Sequence, residues 1–468
     1  MLTFGLQDGQ RVAAMAILTA VSAIIWILYK GFKGPLSSLP GPWYTRFTDI
    51  VLKYNVFSGR RVHYIHALHH KYGSVVRISP DEVEVSDLAA YREVHRIGSG
   101  FVKSPWYDRA TPGMESNVFV MTNVQEHAAR RRLLARPFSR TSLLTNFQEL
   151  VTERAKLAVQ RIKQEAASNG VCDVMKWWTL MTSDVIMEVA FGEKAGLIEA
   201  GEKNAYIHDL EQAEISFALQ GEFPRLYKLL KTISPKTYGP IEQSLTNVIA
   251  KANASAQKAK EGKLTRHNIL SGMIESSRQE GTIVTDFALG SQASALIIAG
   301  AGTTTTTLTY ATWAMLTYPD VRRKLEDEVL GLEEGFDDAI LEKLPYLDAF
   351  VTEVLRLYGS APGALPRTTP LHGIRDPERF DPDRFYHKSL TPDQKYAFTP
   401  FGGGTRVCLG IHLAYMELRH GIAEFVRECR HLRLSKLTTP ESMEMENFFL
   451  IAPKGHCLMV EDIGEAKV

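Results

Sequence analysis

Residues 401–410 read FGGGTRVCLG, and this stretch decides the interpretation of the whole chain. Its three consecutive glycines let the backbone lie close against a bulky group, because glycine has no side chain. Cys408 stands just before an amphipathic pattern that predicts a helix from Ile411. The dipole and the free N–H groups at a helix N-terminus favour a thiolate over a thiol. Arg406 adds a permanent positive charge beside the same surface.

An anion-stabilised thiolate at Cys408 suits a soft axial ligand of iron, and a cysteine thiolate is one of the ligands that bind heme iron. The alternative is a buried structural cysteine that follows a glycine-rich turn. The other cysteines are Cys172, Cys429 and Cys457. Four scattered cysteines are too few for a disulfide framework, so the sequence predicts a reducing compartment. Any chemistry done by sulfur then depends on one cysteine.

The overall composition excludes one class of partner and favours a single domain. The 468 residues are 45% hydrophobic and 23% charged, which is close to average globular usage. The formal net charge is +1 and no dense Lys/Arg stripe is present, so we do not expect nucleic-acid binding. No Gly/Ser-rich or strongly charged linker divides the chain after residue 45. We therefore expect one large globular unit with room for a buried cofactor.

The N-terminal region predicts a membrane anchor. Val12–Tyr29 is a mostly apolar run that reaches the lower limit for a helix spanning a bilayer. Lys30 and Lys33 follow it, which places the remainder of the chain in the cytosol by the positive-inside rule. The proline-rich segment that comes next cannot continue a helix. These features predict an anchor at 1–33, a hinge at 34–45 and a catalytic domain at 46–468. The alternative is a cleaved signal peptide.

Beyond residue 60 the apolar periodicity is mainly helical. Helices are predicted at 126–136, 143–168, 175–192, 240–261, 285–318, 319–332, 346–358 and 411–428. Short strands are predicted at 74–78, 82–86, 448–452 and 456–460. No glycine-rich phosphate loop follows a strand, which is evidence against a dinucleotide-binding domain. The predicted fold class is mainly α: an α+β fold dominated by helices, with small β-sheets.

The ten residues 401–410 resemble the heme-binding signature of the cytochrome P450 family. Further resemblances occur in the family's order along nearly the whole chain. Pro40-Gly41-Pro42 resembles the family's hinge, Glu353–Arg356 its Glu-x-x-Arg motif, and residues 381–385 (DPDRF) its Pro-Glu-Arg-Phe element. The resemblance implies a P450-like fold that binds heme b, with Cys408 as the iron ligand and Phe401 and Gly402 beside it. It also implies a structural ion network of Glu353, Arg356 and Arg384; Arg379 stands in a rival copy of the last motif.

The same resemblance implies roles for five more residues. His127, Arg131, Arg367 and Arg406 match positions that bind the heme propionates, and Thr303 matches the threonine that hydrogen-bonds dioxygen. His127 and Arg131 also share one helical face. The alternatives are solvated surface charges for the arginines and a packing face for the threonine run 303–307. The glycines at 300 and 302 suggest a ligand approaching the backbone, or a local bulge in the helix.

Two departures from the family pattern bear on activity. The family usually has Asp or Glu directly before the threonine as a proton relay, and here the residue is Gly302. Water, Thr303 or a substrate hydroxyl then has to supply the proton. Between Arg367 and Asp376 the family has a longer segment of strands and turns, whereas this chain has only TTPLHGIR. The missing strands line part of the substrate cavity in the family, so heme binding is better supported than turnover.

The resemblance, which is to fungal enzymes of secondary metabolism, implies a monooxygenase acting on a lipophilic small molecule. The implied redox partner is NADPH–cytochrome P450 reductase, and the implied form is a monomer anchored in the endoplasmic reticulum membrane by a single pass. Cavity residues are expected at 106–122, 360–365 and 448–450. Two alternatives are an oxygen-independent heme-thiolate isomerase or dehydratase, which Gly302 permits, and a catalytically impaired heme-binding remnant, which the short 367–376 connection suggests.

Overall fold

The fold is dominated by helices, which the predicted pattern anticipated. The computed structural model describes residues 3–107, 114, 116–262, 267–333, 335–362, 379–386 and 391–464. The α-helices of these residues are α1 Thr3–Lys33, α2 Ile50–Phe57, α3 Arg61–Tyr72, α4 Leu88–His95, α5 Val124–Ala135, α6 Arg140–Asn169, α7 Val174–Phe191, α8 Leu197–Ala200, α9 Ala205–Glu222, α10 Pro224–Ile233, α11 Pro235–Lys260, α12 Ile269–Gln279, α13 Asp286–Thr317, α14 Pro319–Val329, α15 Asp338–Leu341, α16 Pro345–Leu357, α17 Asp383–Tyr386, α18 Pro392–Ala397 and α19 Ile411–Glu428. Short 3₁₀ helices lie at Trp43–Arg46 and Gly404–Arg406.

The main hydrophobic core lies between the long helices α6, α7, α13 and α19. Helix α13 packs against α7 and α11, and α19 packs against α6. Trp178 of α7 is fully buried in this core, and its indole Nε1 donates a hydrogen bond to the hydroxyl of Thr312 in α13 at 3.1 Å. A buried polar group therefore keeps a partner, which avoids the cost of an unpaired donor. This packing holds α13 and the start of α19 in fixed positions on either side of a cavity.

Helix α13 contains the threonine run of residues 303–307 without losing its helical form. It begins after Thr285, whose hydroxyl accepts a hydrogen bond from the backbone of Ala288 at 3.2 Å. Thr305 bonds to the hydroxyl of Thr182 at 2.7 Å, and Thr306 donates to the carbonyl of Ile451 at 3.1 Å. These threonines join α13 to its neighbours. The packing-face alternative therefore holds for much of the run, while Thr303 faces the cavity.

The strands are short and form three small antiparallel sheets in the described residues. Strands β1 Val75–Arg77 and β2 Val83–Val85 lie where strands were predicted and pair with each other, with Val76 opposite Glu84. The remaining strands are β3 Val171–Asp173, β4 Leu432–Leu434, β5 Met445–Asn447, β6 Ile451–Pro453 and β7 Met459–Asp462. Strand β7 lies between β3 and β4, and β5 pairs with β6.

Some predicted boundaries differ from the structure. The strand predicted at 448–452 is wrong over 448–450, because these residues form the turn between β5 and β6. The strand predicted at 456–460 is wrong over 456–458, because β7 begins at Met459. Helix α11 begins at Pro235 rather than at residue 240, and Pro240 lies inside it. Proline is common at the first position of a helix, and here Pro235 rather than Pro240 occupies that position.

The N-terminal helix is exposed, and the segment after it packs on the first sheet. Gln10–Lys33 has a mean hydropathy of 2.3, and no residue of its apolar window is buried against the rest of the protein. It is therefore long and apolar enough to cross a membrane. The carbonyl of Pro40 accepts a hydrogen bond from the backbone of Arg77 in β1 at 2.8 Å. Gly41 approaches the same strand so closely that a Cβ would lie 2.5 Å from the Arg77 carbonyl oxygen. Glycine is required here by close contact as well as by its positive φ of 157°.

Candidate active site

A cavity of about 310 Å³ lies between the start of α19, the 401–410 loop, α5 and the middle of α13. The predicted site residues that line it are His127, Arg131, Thr303, Phe401, Arg406 and Cys408. Gly402 lies next to Phe401 in the loop but does not form part of the cavity wall. Arg367 and the 367–376 connection lie outside the described residues. The structure therefore brings together predicted residues from three separate parts of the chain: α5, α13 and the 401–410 loop.

The backbone of the 401–410 loop presents Cys408 to this cavity. The amide of Cys408 donates a hydrogen bond to the carbonyl of Phe401 at 2.8 Å, which closes the loop. Gly402 and Gly404 have φ angles of 79° and 61°, in the left-handed region that glycine tolerates best. A Cβ on Gly410 would meet the Cys408 sulfur at 3.8 Å, an ordinary contact distance. Cys408 is exposed just before the start of α19.

The loop glycines make room for a neighbouring helix rather than only for a cofactor. A Cβ on Gly403 would lie 2.8 Å from the hydroxyl of Tyr91, and one on Gly404 would collide with the carbonyl oxygen of His95. Both contacts come from α4. The bulky group that the glycine run suggested is therefore in part this helix, and the run fixes the loop against it.

The other cysteines are unsuited to binding a metal in this cavity. Cys172 and Cys429 are buried, and burial raises the pKa of both thiols. Burial also raises the pKa of the Cys457 thiol. A thiolate is the form that binds metal, so these three positions disfavour ligation. Cys408 is the exposed cysteine and the one that lines the cavity.

Basic side chains surround the cavity on the α5 side. Arg131 donates from Nη1 to the carbonyl of Val407 at 2.7 Å, and Arg406 donates from Nη1 to the carbonyl of Met121 at 2.8 Å. Burial lowers the pKa of both guanidinium groups, and Arg131 further lowers the pKa of Arg406. Burial, followed by the charges of Arg406, Arg131 and Lys103, lowers the pKa of His127 to about 4. These like charges disfavour one another.

The three consecutive arginines at 130–132 have different surroundings, and among them only Arg131 lines the cavity. Arg130 donates to the carbonyls of Ser116 and Ala288, at 2.9 and 3.3 Å. Arg132 pairs with Glu280 on the surface at 2.9 Å. The alternative of a solvated face is therefore correct for Arg132 but not for Arg131.

The residues of this site fit a heme. The group has two carboxylates, and the basic side chains of His127, Arg131 and Arg406 line the cavity. The charges of Arg406 and Arg131 lower the pKa of His127, and the charge of Arg131 lowers that of Arg406. An anionic partner would relieve that repulsion. Cys408 lines the same cavity and offers a soft thiolate donor of the kind that iron accepts. The thiolate donor thus suits the iron of the cofactor, and the basic side chains suit its propionates.

The glycines of α13 admit side chains from neighbouring helices. A Cβ on Gly300 would lie 3.0 Å from the Cβ of Ile186 in α7, with closer contacts to the rest of that side chain. A Cβ on Gly302 would collide with Glu214 Oε1 of α9 and lie 3.4 Å from its carboxyl carbon. The prediction that a ligand approaches the backbone here is therefore incomplete, because protein side chains occupy both places.

A buried ion network holds the segment that precedes the cysteine loop. Glu353 has no exposed surface and accepts hydrogen bonds from Arg356 Nε at 2.7 Å and Arg384 Nε at 3.2 Å. The backbone of Asp381 donates to the same carboxylate at 2.7 Å. Arg379 contributes its carbonyl oxygen, which accepts from Arg356 and Arg384 at 3.1 and 2.8 Å. Arg384, rather than Arg379, thus supplies the side chain that completes the network.

Several cavity residues have no counterpart in the predicted site. Lys103 donates to the carbonyl of Phe119, and its Nζ lies 3.9 Å from the ring centroid of Tyr107. Burial, followed by the charge of Arg406, lowers the pKa of Lys103 to about 7. Glu214 and Gln292 also line the cavity. No local signal in the sequence marks Glu214, because α9 mixes apolar and polar residues along its length.

The predicted cavity walls are present in part. Val118, Phe119 and Val120 line the cavity, as do the pairs at 360–361 and 449–450. Trp106 and Phe448 do not line it. Residues 363–365 of the predicted wall lie outside the described residues. The rings of Phe119, Phe217 and Phe449 form an aromatic cluster with centroid separations of 4.3 to 6.4 Å, which makes this side of the cavity apolar.

Comparison with known proteins gives the family. The model of the family described as Cytochrome P450 matches residues 39–371 and 375–460, so its break falls within the short connection. The chain is 34% identical to Cytochrome P450 monooxygenase cypX of Dothistroma septosporum, over 94% of this chain and 93% of that protein. It is 36% identical to Cytochrome P450 monooxygenase stcB of Emericella nidulans, over 89% and 86%. It is 35% identical to Cytochrome P450 monooxygenase aflV of Aspergillus parasiticus, over 92% of each. With this match over most of its length, the chain belongs to the cytochrome P450 family.

Proposed function

We propose that this chain is a heme-thiolate monooxygenase that inserts one oxygen atom from O₂ into a lipophilic small molecule. The observation that carries the proposal is the single cavity in which Cys408, the basic residues of α5 and Thr303 meet. The relatives named cytochrome P450 monooxygenases support the same reaction class. We further propose an intermediate of secondary metabolism as the substrate, in line with the resemblance to fungal enzymes.

Each side chain of the cavity has a proposed role. Cys408 is the axial ligand of heme b, and the loop that includes Phe401 and Gly402 sets the direction of its sulfur. His127, Arg131 and Arg406 bind the propionates, and the sequence match assigns Arg367 to the same task. Thr303 offers a hydroxyl on the α13 side of the cavity. That hydroxyl donates to the carbonyl of Ala299 at 2.8 Å. A ligand on this side therefore either donates a hydrogen bond to the hydroxyl oxygen or requires the hydroxyl to rotate away from Ala299.

The bound heme would supply O₂ activation and oxygen transfer, with electrons that NADPH delivers through cytochrome P450 reductase. The chain itself provides an apolar wall around the aromatic cluster of Phe119, Phe217 and Phe449. Such a wall favours a lipophilic substrate and excludes water from the reacting side. Polar recognition is limited to a few groups, among which Gln292 accepts from the backbone of Val118 at 3.0 Å.

The proposed organisation follows the hydropathy of the N-terminus. Residues 1–33 anchor the protein, residues 34–45 form the hinge, and residues 46–468 form the catalytic domain. The exposed apolar helix Gln10–Lys33 supports a single membrane pass. Lys30 and Lys33 after the apolar run favour a catalytic domain in the cytosol. We propose that the protein is a monomer whose anchor lies in the membrane of the endoplasmic reticulum.

The test is oxidation of a panel of lipophilic substrates by the membrane-bound protein with reductase, NADPH and O₂. The proposal predicts oxygenated product that requires both NADPH and O₂ and that incorporates label from ¹⁸O₂. Omission of the reductase is the matched control. Product formed equally well without NADPH and O₂ would instead identify an isomerase or dehydratase.

A second candidate is a catalytically impaired heme-binding protein. The observation that favours it is the break in the family match between residues 371 and 375. A transcript sequence across codons 365–380 tests whether the short connection is natural. A longer reading frame there would remove this candidate, because the chain would regain the segment that the family has.

A further inference from the structure

The carboxyl of Glu214 lies where the side chain of residue 302 would be. A Cβ on Gly302 would collide with Glu214 Oε1 and would lie 3.1 Å from Leu450 Cδ1. Gly302 directly precedes Thr303, whose side chain lines the cavity, and Glu214 lines the same cavity from α9. The chain thus has no acid at residue 302, but the carboxyl of Glu214 on α9 lies beside that position.

The surroundings of Glu214 favour the protonated carboxyl. Burial raises its pKa to about 8, and the like charge of Glu211 on the same helix adds to that shift. Glu211 is itself paired with Lys203 at 2.7 Å. Three charged groups of the helices packed against α9 have partners other than Glu214: Lys53 of α2 bonds to the carbonyl of Glu222, Lys231 of α10 pairs with Glu242 of α11, and Lys251 of α11 pairs with Glu193.

The remaining ionisable groups around the cavity complete its electrostatics. They are Lys103, His127, Arg131, Arg406, Cys408 and Glu417. None of these groups contributes to the shift of the Glu214 pKa, which comes from burial and Glu211. The acid therefore sits in an apolar part of the cavity, apart from the basic residues of the α5 side. A carboxyl in such surroundings keeps its proton at neutral pH.

We propose that Glu214 supplies, from α9, the carboxylic acid that the family places one residue before the threonine of α13. The inference rests on the proposed monooxygenase function. Glu214 acts through Thr303 and intervening water and does not itself touch the reacting atoms. It is therefore a positioning residue, and its carboxyl supplies the proton that the water passes on. A proton leaves the carboxyl for a neighbouring water, and the carboxylate takes a proton back from bulk solvent. Only O–H bonds are exchanged, and no oxidant or reductant is consumed in this step.

The same contact explains why residue 302 is glycine. An acid at both positions would place two carboxyls in one space, with steric overlap at the Cβ and repulsion between like charges. A side chain at residue 302 would therefore displace the Glu214 carboxyl from its present position. Glycine at residue 302 leaves that position to the acid of α9.

The first test is an infrared measurement of the full-length heme protein. The difference between the parent and Glu214→Gln should contain the C=O stretch of a protonated carboxylic acid at neutral pH. That band should disappear as the pH rises through about 8. Asp209→Asn on the same helix is the matched control, since Asp209 is bonded to Asn247 at the surface. A carboxylate signal in place of the acid band at neutral pH would overturn the inference.

The second test moves the acid from one helix to the other. Glu214→Gln should increase the hydrogen peroxide released per NADPH and lower coupled oxygenation by roughly 10²-fold, the lower end of what a positioned acid contributes. Glu214→Ala combined with Gly302→Asp should restore coupling, whereas Glu214→Ala combined with Gly302→Asn should not. In the parent, coupling should fall as the pH rises through about 8, and this fall should be absent in Glu214→Gln.

The outcomes separate this inference from the proposed function. A parent protein without the thiolate-type spectrum of the reduced carbonyl complex would contradict the proposed function, whatever Glu214 does. A parent with that spectrum whose peroxide release is unchanged by Glu214→Gln would overturn the inference alone. A variant that loses only substrate affinity, with normal peroxide release, would overturn it as well and assign Glu214 to substrate binding.

Discussion

At the scale of single residues, basic side chains are concentrated on the α5 side of the cavity. The charges of Arg406, Arg131 and Lys103 lower the pKa of His127, and the charge of Arg406 lowers that of Lys103. A bound dianion would reverse that effect, because an opposite charge favours the protonated form of each base. Heme binding is therefore expected to stabilise the protonated forms of these basic side chains.

Loss of one propionate partner should weaken heme binding. Arg131→Ala should raise the Kd of heme by about 10- to 100-fold, since a hydrogen bond to a charged group is worth about 1.5–3 kcal/mol. The measurement is heme titration of the apoprotein. Arg132→Ala is the matched control, because this neighbour pairs with Glu280 at the surface. An equal loss in both variants would indicate a general effect on α5 rather than contact with the cofactor.

The raised pKa of Glu214 should also appear in the pH dependence of stability. Its folded pKa of about 8 is above the ordinary glutamate pKa of 4.5, so the folded state holds the proton more tightly. The contribution to stability is full below about 4.5 and is lost as the pH rises through about 8. Glu214→Gln should therefore gain Tm relative to the parent as the pH rises across this range. A constant difference in Tm across the range would contradict the assignment.

The sequence identified Cys408 but not Lys103 or Glu214, and the physical reason is locality. The features that favour a thiolate at Cys408 lie within a few residues of it: the glycines, Arg406 and the start of a helix. Lys103 and Glu214 become cavity residues only because distant helices enclose them. For His127 and Arg131, helical spacing gave a shared face, but only the packed structure shows that Arg131 faces the cavity and Arg132 does not.

At the scale of elements, the Glu353 network ties α16 to the segment before the cysteine loop. Glu353→Gln should cost about 3–5 kcal/mol, because it leaves Arg356 and Arg384 without their buried counter-charge. That is a large part of the net stability of a domain. We expect reduced yield and heme content before any change in chemistry, measured as heme per folded protein and by thermal unfolding.

Arg379→Gln provides the matched control for this network. Arg379 participates through its backbone carbonyl, which the substitution keeps, so heme content should stay at the parent level. Full heme occupancy in Glu353→Gln, with only turnover reduced, would show that the network is not structural.

Element boundaries followed from the sequence for four of the long helices. The predicted helices at 143–168, 175–192, 285–318 and 411–428 agree with α6, α7, α13 and α19 to within a few residues. Strands β3, β4 and β5 were missed, since a strand of three residues is too short to show alternation. Their pairing is decided by partners far along the chain, such as β7 for both β3 and β4.

At the scale of the whole molecule, the apolar N-terminal helix should be separable from the folded domain. Deletion of residues 1–30 should release the protein from membranes with its heme spectrum intact, because Gln10–Lys33 has no buried share. Sedimentation with and without the deletion measures the release. Loss of heme on deletion would show that the helix supports the pocket, and persistent sedimentation would indicate a second apolar contact with the membrane.

The short connection at 367–376 should limit activity more than Gly302 does. The family match breaks there, whereas the place of the acid at residue 302 is filled by Glu214. We expect weak heme binding and slow turnover from the 468-residue chain, and recovery when a family-like segment is inserted after Gly373. Gly302→Asp alone should not restore turnover. Rapid, coupled turnover by the unaltered chain would show that the fold tolerates the missing segment.

The central claim is that Cys408 gives the iron of this molecule a thiolate ligand. The most direct measurement is the absorption spectrum of the reduced carbonyl complex, for the full chain and for Cys408→Ala. The account predicts a red-shifted Soret band in the full chain, its loss in Cys408→Ala, and its retention in Cys172→Ala, Cys429→Ala and Cys457→Ala. A red-shifted band that persists in Cys408→Ala would contradict the account.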